Sequence, residues 1–241
     1  MLKRVLNQTL DFLLPPTCLH CDAFLARGDS GGLCLSCFET LQPHTGAQCH
    51  RCATQVDALF VRTDLLCGAC ASQPPAFSSA QAPFVYSGPA RTAVLRLKYE
   101  NHPGAAGFLA RAMAARLSSN PQVLVPVPLH SSRLRQRGFN QSMVLAKRIH
   151  RLRQDITSLP LQTVVRTKAT AKQGAHSARQ RMRNVAGAFQ VLKPAAIAQK
   201  DILIIDDVMT TGATCRSLAK ALQKAGARST HILAATRALP R

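Results

Sequence analysis

The sequence predicts an α/β chain in which a domain with a parallel sheet, covered by helices on both faces, follows a small cysteine-rich module. Three observations carry this. Beyond residue 84, short apolar runs alternate with segments of helical period, and the runs are too continuous for a sheet with one wet face. Every cysteine but Cys215 stands before residue 71, in four spaced pairs. The stretch ASQPPAFSSAQAP that follows has the composition of a connector, so the division is expected near residue 71, with the module over 18–71 and the α/β domain over 84–241.

The chain opens on MLKRVLNQTLDFLLPP, where Leu2, Val5, Leu6, Leu10, Leu13 and Leu14 fall at helical spacing and Asn7, Gln8 and Asp11 interrupt any apolar run. This lacks signal-peptide anatomy and is expected to be a docking helix over 1–17. No stretch is long enough to span a bilayer. A cytoplasmic protein is therefore expected, where thiols stay reduced and paired cysteines serve as metal ligands.

Past the connector, residues 84–99 form a mixed segment ending in LRLKY, and GAAGFLARAMAARL reads as a helix begun at Gly104. Residues 122–127 make a β-branched strand closed by prolines, opening into the loop VPLHSSRLRQRG. Helical spacing returns over 139–153 through Met143, Leu145, Ile149 and Leu152. Strands are expected at 161–166, 188–192, 202–205 and 230–235, with a helix over 214–225 ending at Gly226. Residues 167–187 show no apolar period and read as a long polar loop, long enough in a compact domain to suggest function.

The cysteines read Cys18-x-x-Cys21, Cys34-x-x-Cys37, Cys49-x-x-Cys52 and Cys67-x-x-Cys70. Two thiolates separated by two residues bind one metal from a single tight turn, and two such turns complete a tetrahedral zinc site. Four pairs allow two closed, structural zinc sites. The simplest pairing joins neighbours, and an interleaved arrangement satisfies the same spacing. His20 and His50 sit inside the pairs, but eight cysteines already supply the ligands.

Formal net charge is +20, from 31 Lys and Arg against 11 Asp and Glu. Between Arg133 and Lys193 stand 14 Lys or Arg and a single acid, Asp155. Such a field draws a polyanion, whether nucleic acid or a phosphorylated small molecule.

The sharpest chemistry lies in residues 202–214, ILIIDDVMTTGAT. An apolar strand delivers Asp206 and Asp207 to its end, and a Thr/Gly loop then opens a helix. Backbone N–H groups at that helix start, with the hydroxyls of Thr210, Thr211 and Thr214, make an anion site around Ala213, and Gly212 lets the backbone approach a phosphate closely. The carboxylates are suited to accept hydrogen bonds from ribose hydroxyls. The GxGxxG spacing of dinucleotide-binding folds and the Gly-Lys-Ser/Thr ending of triphosphatase loops are both absent.

This segment resembles the phosphoribosyl diphosphate (PRPP) signature of type I phosphoribosyltransferases. More of the chain is similar to the ComF/GntX family of competence-associated proteins, through its cysteine-rich front end, Leu97-Lys98-Tyr99, the run VPVPL with Arg133, Arg137, Gly138, Phe139, Asn140 and Gln141, and then Gln173, Arg181, Asn184, Gly187 and Phe189. The resemblance implies a phosphoribosyltransferase-like domain behind a double zinc ribbon. It implies that Asp206 and Asp207 hold the ribose hydroxyls and are the catalytic candidates, that Thr210, Thr211, Gly212, Ala213 and Thr214 cradle the 5′-phosphate, and that Arg133 and Arg137 lie near the diphosphate. The loop around Arg179, Arg181 and Arg183 corresponds to one that closes over substrate, and Mg²⁺ accompanies PRPP.

For function, the resemblance implies handling of single-stranded DNA during uptake, together with proteins of the uptake machinery. With no Trp and only two Tyr, base stacking is scarce, and such binding is expected to be electrostatic. The alternative is an active phosphoribosyltransferase, but the sequence offers no evident acceptor pocket. A third reading is a PRPP-sensing adaptor whose zinc module contacts another protein, since gluconate-linked members share the family.

Overall fold

The computed structural model describes residues 16–25, 32–57, 64–117, 121–156, 158, 160–169 and 184–239. Most of the expected N-terminal helix, and Gln173, Arg179, Arg181 and Arg183 of the polar loop, lie outside them.

The sheet is built on two nine-residue strands, β6 (Asp201–Met209) and β7 (Ser229–Arg237), paired in parallel from Asp201 against Ser229 to Met209 against Arg237. β3 (Val123–Pro126) flanks β6, while β1 (Ser79–Gln81) and β2 (Phe84–Val85) share the other edge of β7, all parallel. The first part of this edge strand, β1, thus lies in what the sequence reads as connector, and β2 begins just after it. Its two parts are too short to show a period, and Pro83 between them has no N–H for the ladder.

The apolar runs are buried on both faces. Ile202 and Ile204 enter one core with Val123, Val125 and Ile232, while Leu203 and Ile205 enter the other with Leu124, Leu233 and Ala235. Each such side chain contributes roughly 1.5–3 kcal/mol by leaving water. The second core is closed by α3 (Gly88–Glu100), α4 (Pro103–Arg116) and α6 (Gln141–Leu152), and the first by α7 (Ala213–Lys224). In α3, Ala90, Ala93, Val94 and Leu97 form its buried stripe, and Asn101 in the left-handed region ends it. Small residues along α4, including Ala105, Ala106, Gly107 and Ala110, are buried and let neighbouring helices come close.

Two expectations are corrected here. The loop after β3 contains a helix, α5 (Ser131–Arg137), which buries none of its residues and so leaves no apolar period to read. β4 (Val164–Arg166) and β5 (Phe189–Val191) do not join the parallel sheet; they pair with each other, antiparallel, in a separate ribbon whose strands bury only one residue each. The polar loop connects these two strands.

The cysteine module repeats one design. In its first pairs a left-handed residue, Asp22 or Ala53, follows the second cysteine, and its N–H bonds back to the carbonyl of Cys18 or Cys49. In its second pairs the first cysteine begins a one-turn helix, α1 (Leu35–Glu39) after Cys34 and α2 (Gly68–Ser72) after Cys67. The module meets the sheet edge directly, with the Val85 N–H bonded to the Gln42 carbonyl and the His44 N–H to the Pro83 carbonyl. No helix among the described residues is long and apolar enough to cross a membrane.

Candidate functional site

The eight paired cysteines gather as two clusters of neighbours, Cys18, Cys21, Cys34 and Cys37, then Cys49, Cys52, Cys67 and Cys70, with all sulfur atoms of a cluster within 4.8 Å of one another. The Cys21–Cys34 and Cys52–Cys67 sulfurs are 3.7 and 3.6 Å apart. A tetrahedron with Zn–S bonds of about 2.3 Å has edges near 3.8 Å, so both sets fit zinc. Amide N–H groups of His20 and Cys34 point at the Cys18 sulfur, 3.4 Å away, as they do at a thiolate. Hydrogen bonds from Ser36 and from the Cys37 amide draw the Cys34 thiol down to about 6. Four sulfurs close each site, which is the pattern of structural rather than catalytic zinc.

The second site forms where the carboxyl ends of β3, β6 and β7 meet the loops that follow, the edge at which parallel sheets hold ligands. β6 runs on through Asp206 and Asp207, and both side chains are buried. Asp206 faces inward: its Oδ1 accepts from the Asp207 N–H at 2.9 Å and the Ser142 hydroxyl at 3.4 Å, and its Oδ2 from the Cys215 thiol at 3.7 Å. Burial, then the charge of Asp207, push its carboxyl up to about 7.

Asp207 is placed differently. Its Oδ2 lies 3.2 Å from Lys98 Nζ at the end of α3, yet this buried oxygen receives no well-aligned hydrogen bond among the described residues. The structure makes Lys98 the counterion of Asp207. A Lys98→Met variant keeps the aliphatic stem but strands a buried carboxylate, and is expected to lose about 3 kcal/mol in urea unfolding at neutral pH. Most of that loss should return when Asp207→Asn is added.

Beyond Asp207 the chain turns through Thr210, exposed, and Thr211, half-buried, into Gly212, whose φ of +71° is left-handed. A β-carbon at Gly212 would lie 2.8 Å from the Met209 methyl. α7 then begins at Ala213 with no side-chain cap, which leaves the N–H groups of its first turn, around Thr214, for a ligand.

The loop after β3 carries basic residues. Val127 and Pro128 lead to His130, whose Nδ1 accepts from the Ser132 N–H and caps α5; Asn140 likewise caps α6 through the N–H groups of Ser142 and Met143. Several residues in the stretch that carried the resemblance thus build the turns. Arg133 and Arg137 sit on α5. Arg137 donates to Gln141 Oε1 at 2.6 Å and lies over the ring of Tyr99, which is 72% exposed. The structure therefore brings Arg137 to the neighbour of Lys98. Arg166, at the end of β4, was missed: its backbone bridges His130 in the loop after β3, and its guanidinium stacks on Phe189. Arg237, which ends β7 beside Met209, was also missed. In both cases the legible signal was an arginine at the end of a predicted strand or just beyond it.

Comparison with known proteins bears on both sites. A double zinc ribbon domain matches residues 9–71, and a phosphoribosyl transferase domain matches residues 99–238. The DNA utilization protein YhgH of Salmonella typhimurium is 32% identical over 235 residues, covering 94% of this chain and 99% of that one. Competence protein F of Haemophilus influenzae is 28% identical over 230 residues, covering 92% and 96%. A hypoxanthine phosphoribosyltransferase structure from Staphylococcus aureus overlays with a TM-score of 0.31 and 22% identity, covering 59% of this chain and 61% of that one. With both domain matches in sequence order and relatives aligned nearly end to end, the chain belongs to the ComF/GntX family, a phosphoribosyltransferase domain behind a double zinc ribbon.

Proposed function

We propose that this protein binds PRPP with Mg²⁺ at the end of β6 and handles single-stranded DNA in natural competence or DNA utilization. The observation that carries the PRPP half is the buried, unbonded Oδ2 of Asp207 beside an uncapped helix start, with Lys98 at 3.2 Å. A carboxylate in that condition is suited to a ribose hydroxyl or to a water of hydrated Mg²⁺. Asp206 stands behind it and fixes its backbone through the Asp207 N–H. Residues 210–214 would take the 5′-phosphate, and Arg133 and Arg137 the diphosphate, which guanidinium forks suit. Titrating PRPP with Mg²⁺ into the zinc-loaded protein by calorimetry tests this; a one-site isotherm is expected, and the absence of heat at millimolar PRPP would remove the reading.

The DNA half rests on the charge of the chain and on the names of its relatives, which speak of DNA utilization and competence. The uptake machinery is its expected context and the cytoplasm its expected compartment. Affinity for an oligonucleotide should be electrostatic, because Tyr99 is the exposed aromatic at the site. For about four phosphate contacts, affinity should fall roughly 50-fold between 50 and 200 mM salt. Fluorescence anisotropy of a labelled single strand measures this, and an affinity insensitive to salt would contradict it. Diphosphate release only on addition of a particular acceptor would add turnover to binding.

A further inference from the structure

The second cysteine cluster is joined to the phosphate loop by a buried arginine. Arg237 closes β7 with only 5% of its surface exposed. Its Nε donates to the Cys52 carbonyl at 3.1 Å and its Nη2 to the Thr54 hydroxyl at 2.6 Å, both on the second zinc knuckle. Its Nη1 donates to the Met209 carbonyl at 2.9 Å, to the Thr210 carbonyl and to the Ala238 carbonyl at 2.8 Å. One planar guanidinium therefore holds Cys52–Thr54 on one side and the backbone that enters the phosphate loop on the other.

A second strut runs to the far side of the same loop. Arg216, in the first turns of α7, donates to the Gln73 carbonyl at 3.1 Å and reaches the Cys70 sulfur at 3.7 Å. Residues 210–212 are thus bracketed, strand side and helix side, by arginines that both end on the second cluster. Four neutral carbonyls and one hydroxyl accept from Arg237. A zinc ion held by the four thiolates would carry a net charge of −2, which would balance the two cations. The first cluster is joined elsewhere: His20 meets Thr92 at 2.9 Å, and Asp22 pairs with Arg96, both on α3 and away from the loop.

We infer that Arg237 is a positioning residue for the sugar-phosphate site, and that the second zinc knuckle is, through it, a working part of that site rather than a separate docking module. Without the tether, the Thr210 carbonyl loses its Arg237 donor and the Met209 carbonyl keeps only the Ala238 N–H at 3.0 Å, and the N–H groups of the loop no longer converge. This inference rests on the proposed PRPP reading for its ligand, but not for its geometry.

The test uses the full zinc-loaded chain with Arg237→Lys, which keeps the charge but cannot span both sides, and Thr54→Val, a milder cut on the knuckle side alone. Asp22→Asn, which loosens the first knuckle from α3, is the control. Amide hydrogen exchange and PRPP affinity are measured well below the melting temperature, with zinc content determined on each sample. Both cuts should keep two zinc ions, speed exchange selectively at residues 210–213, and weaken PRPP binding, about tenfold for Arg237→Lys and less for Thr54→Val; Asp22→Asn should match the wild type. A merely structural Arg237 would lower the melting temperature while leaving loop exchange and affinity unchanged, and that result would overturn the inference. So would equal acceleration throughout the sheet. If the wild type itself bound no PRPP, the ligand reading would fall, while the exchange data would still decide the tether.

Discussion

An Asp206→Asn, Asp207→Asn double variant is expected to bind Mg²⁺-PRPP about thirtyfold more weakly than the wild type, since it removes the charge-assisted hydrogen bond of Asp207, worth about 2 kcal/mol, while Asp206 stands behind it. Calorimetry of both proteins measures it, and equal affinities would remove the assignment of the ligand to this strand end. The same pair gives an opposite effect on stability. The folded-state value of about 7 for Asp206 lies above the ordinary 3.8. Between those values the folded chain holds a proton that the unfolded chain has released, so stability falls as pH rises. The contribution is complete below about pH 4 and is lost as pH passes about 7. Asp206→Asn, neutral throughout, should therefore melt like the wild type at pH 4 and at a higher temperature at pH 8. A carboxylate kept buried at this cost, against Cys215 and Ser142, is the pattern of a residue retained for binding rather than for stability.

Removing zinc with a strong chelator should have the second large effect, because each closed site contributes on the order of 10 kcal/mol of folding free energy to a module with little core of its own. The consequence should not stop at residue 71. Cys18 and Leu19 are packed in one core of the α/β domain, Cys49, Cys52 and Cys70 in the other, and Gln42 and His44 bond to its edge strand. Chelation is expected to lower the melting temperature of the whole chain and to expose apolar surface to a reporter dye. An α/β domain that melted at the same temperature with and without zinc would show that these contacts carry little energy.

Much of the fold was legible because burial leaves a period. The runs at 202–205 and 230–235 named the central strands, and the Leu145–Ile149 spacing named α6, since a strand covered on both faces and a helix covered on one face cannot disguise themselves. α5 and the edge strands β1 and β2 were not legible, the first because it buries nothing and the others because two or three residues show no period. The antiparallel partnership of β4 and β5 was hidden for a related reason, as a strand buried at one residue says nothing about which sheet it joins.

The sequence by itself determined the chemistry available at each site: four CxxC pairs whose spacing forces each pair into one turn, and an apolar strand that ends in two acids before a Thr/Gly bend. These are local facts, set by a few adjacent residues. Only the tertiary structure decided how those pieces combine, because the deciding contacts join residues far apart in the chain. It chose neighbouring over interleaved cysteine pairs, turned Asp206 inward and gave Asp207 to Lys98, brought Arg166 to the loop after β3, and ran Arg237 from the last strand to both the second zinc knuckle and the phosphate loop.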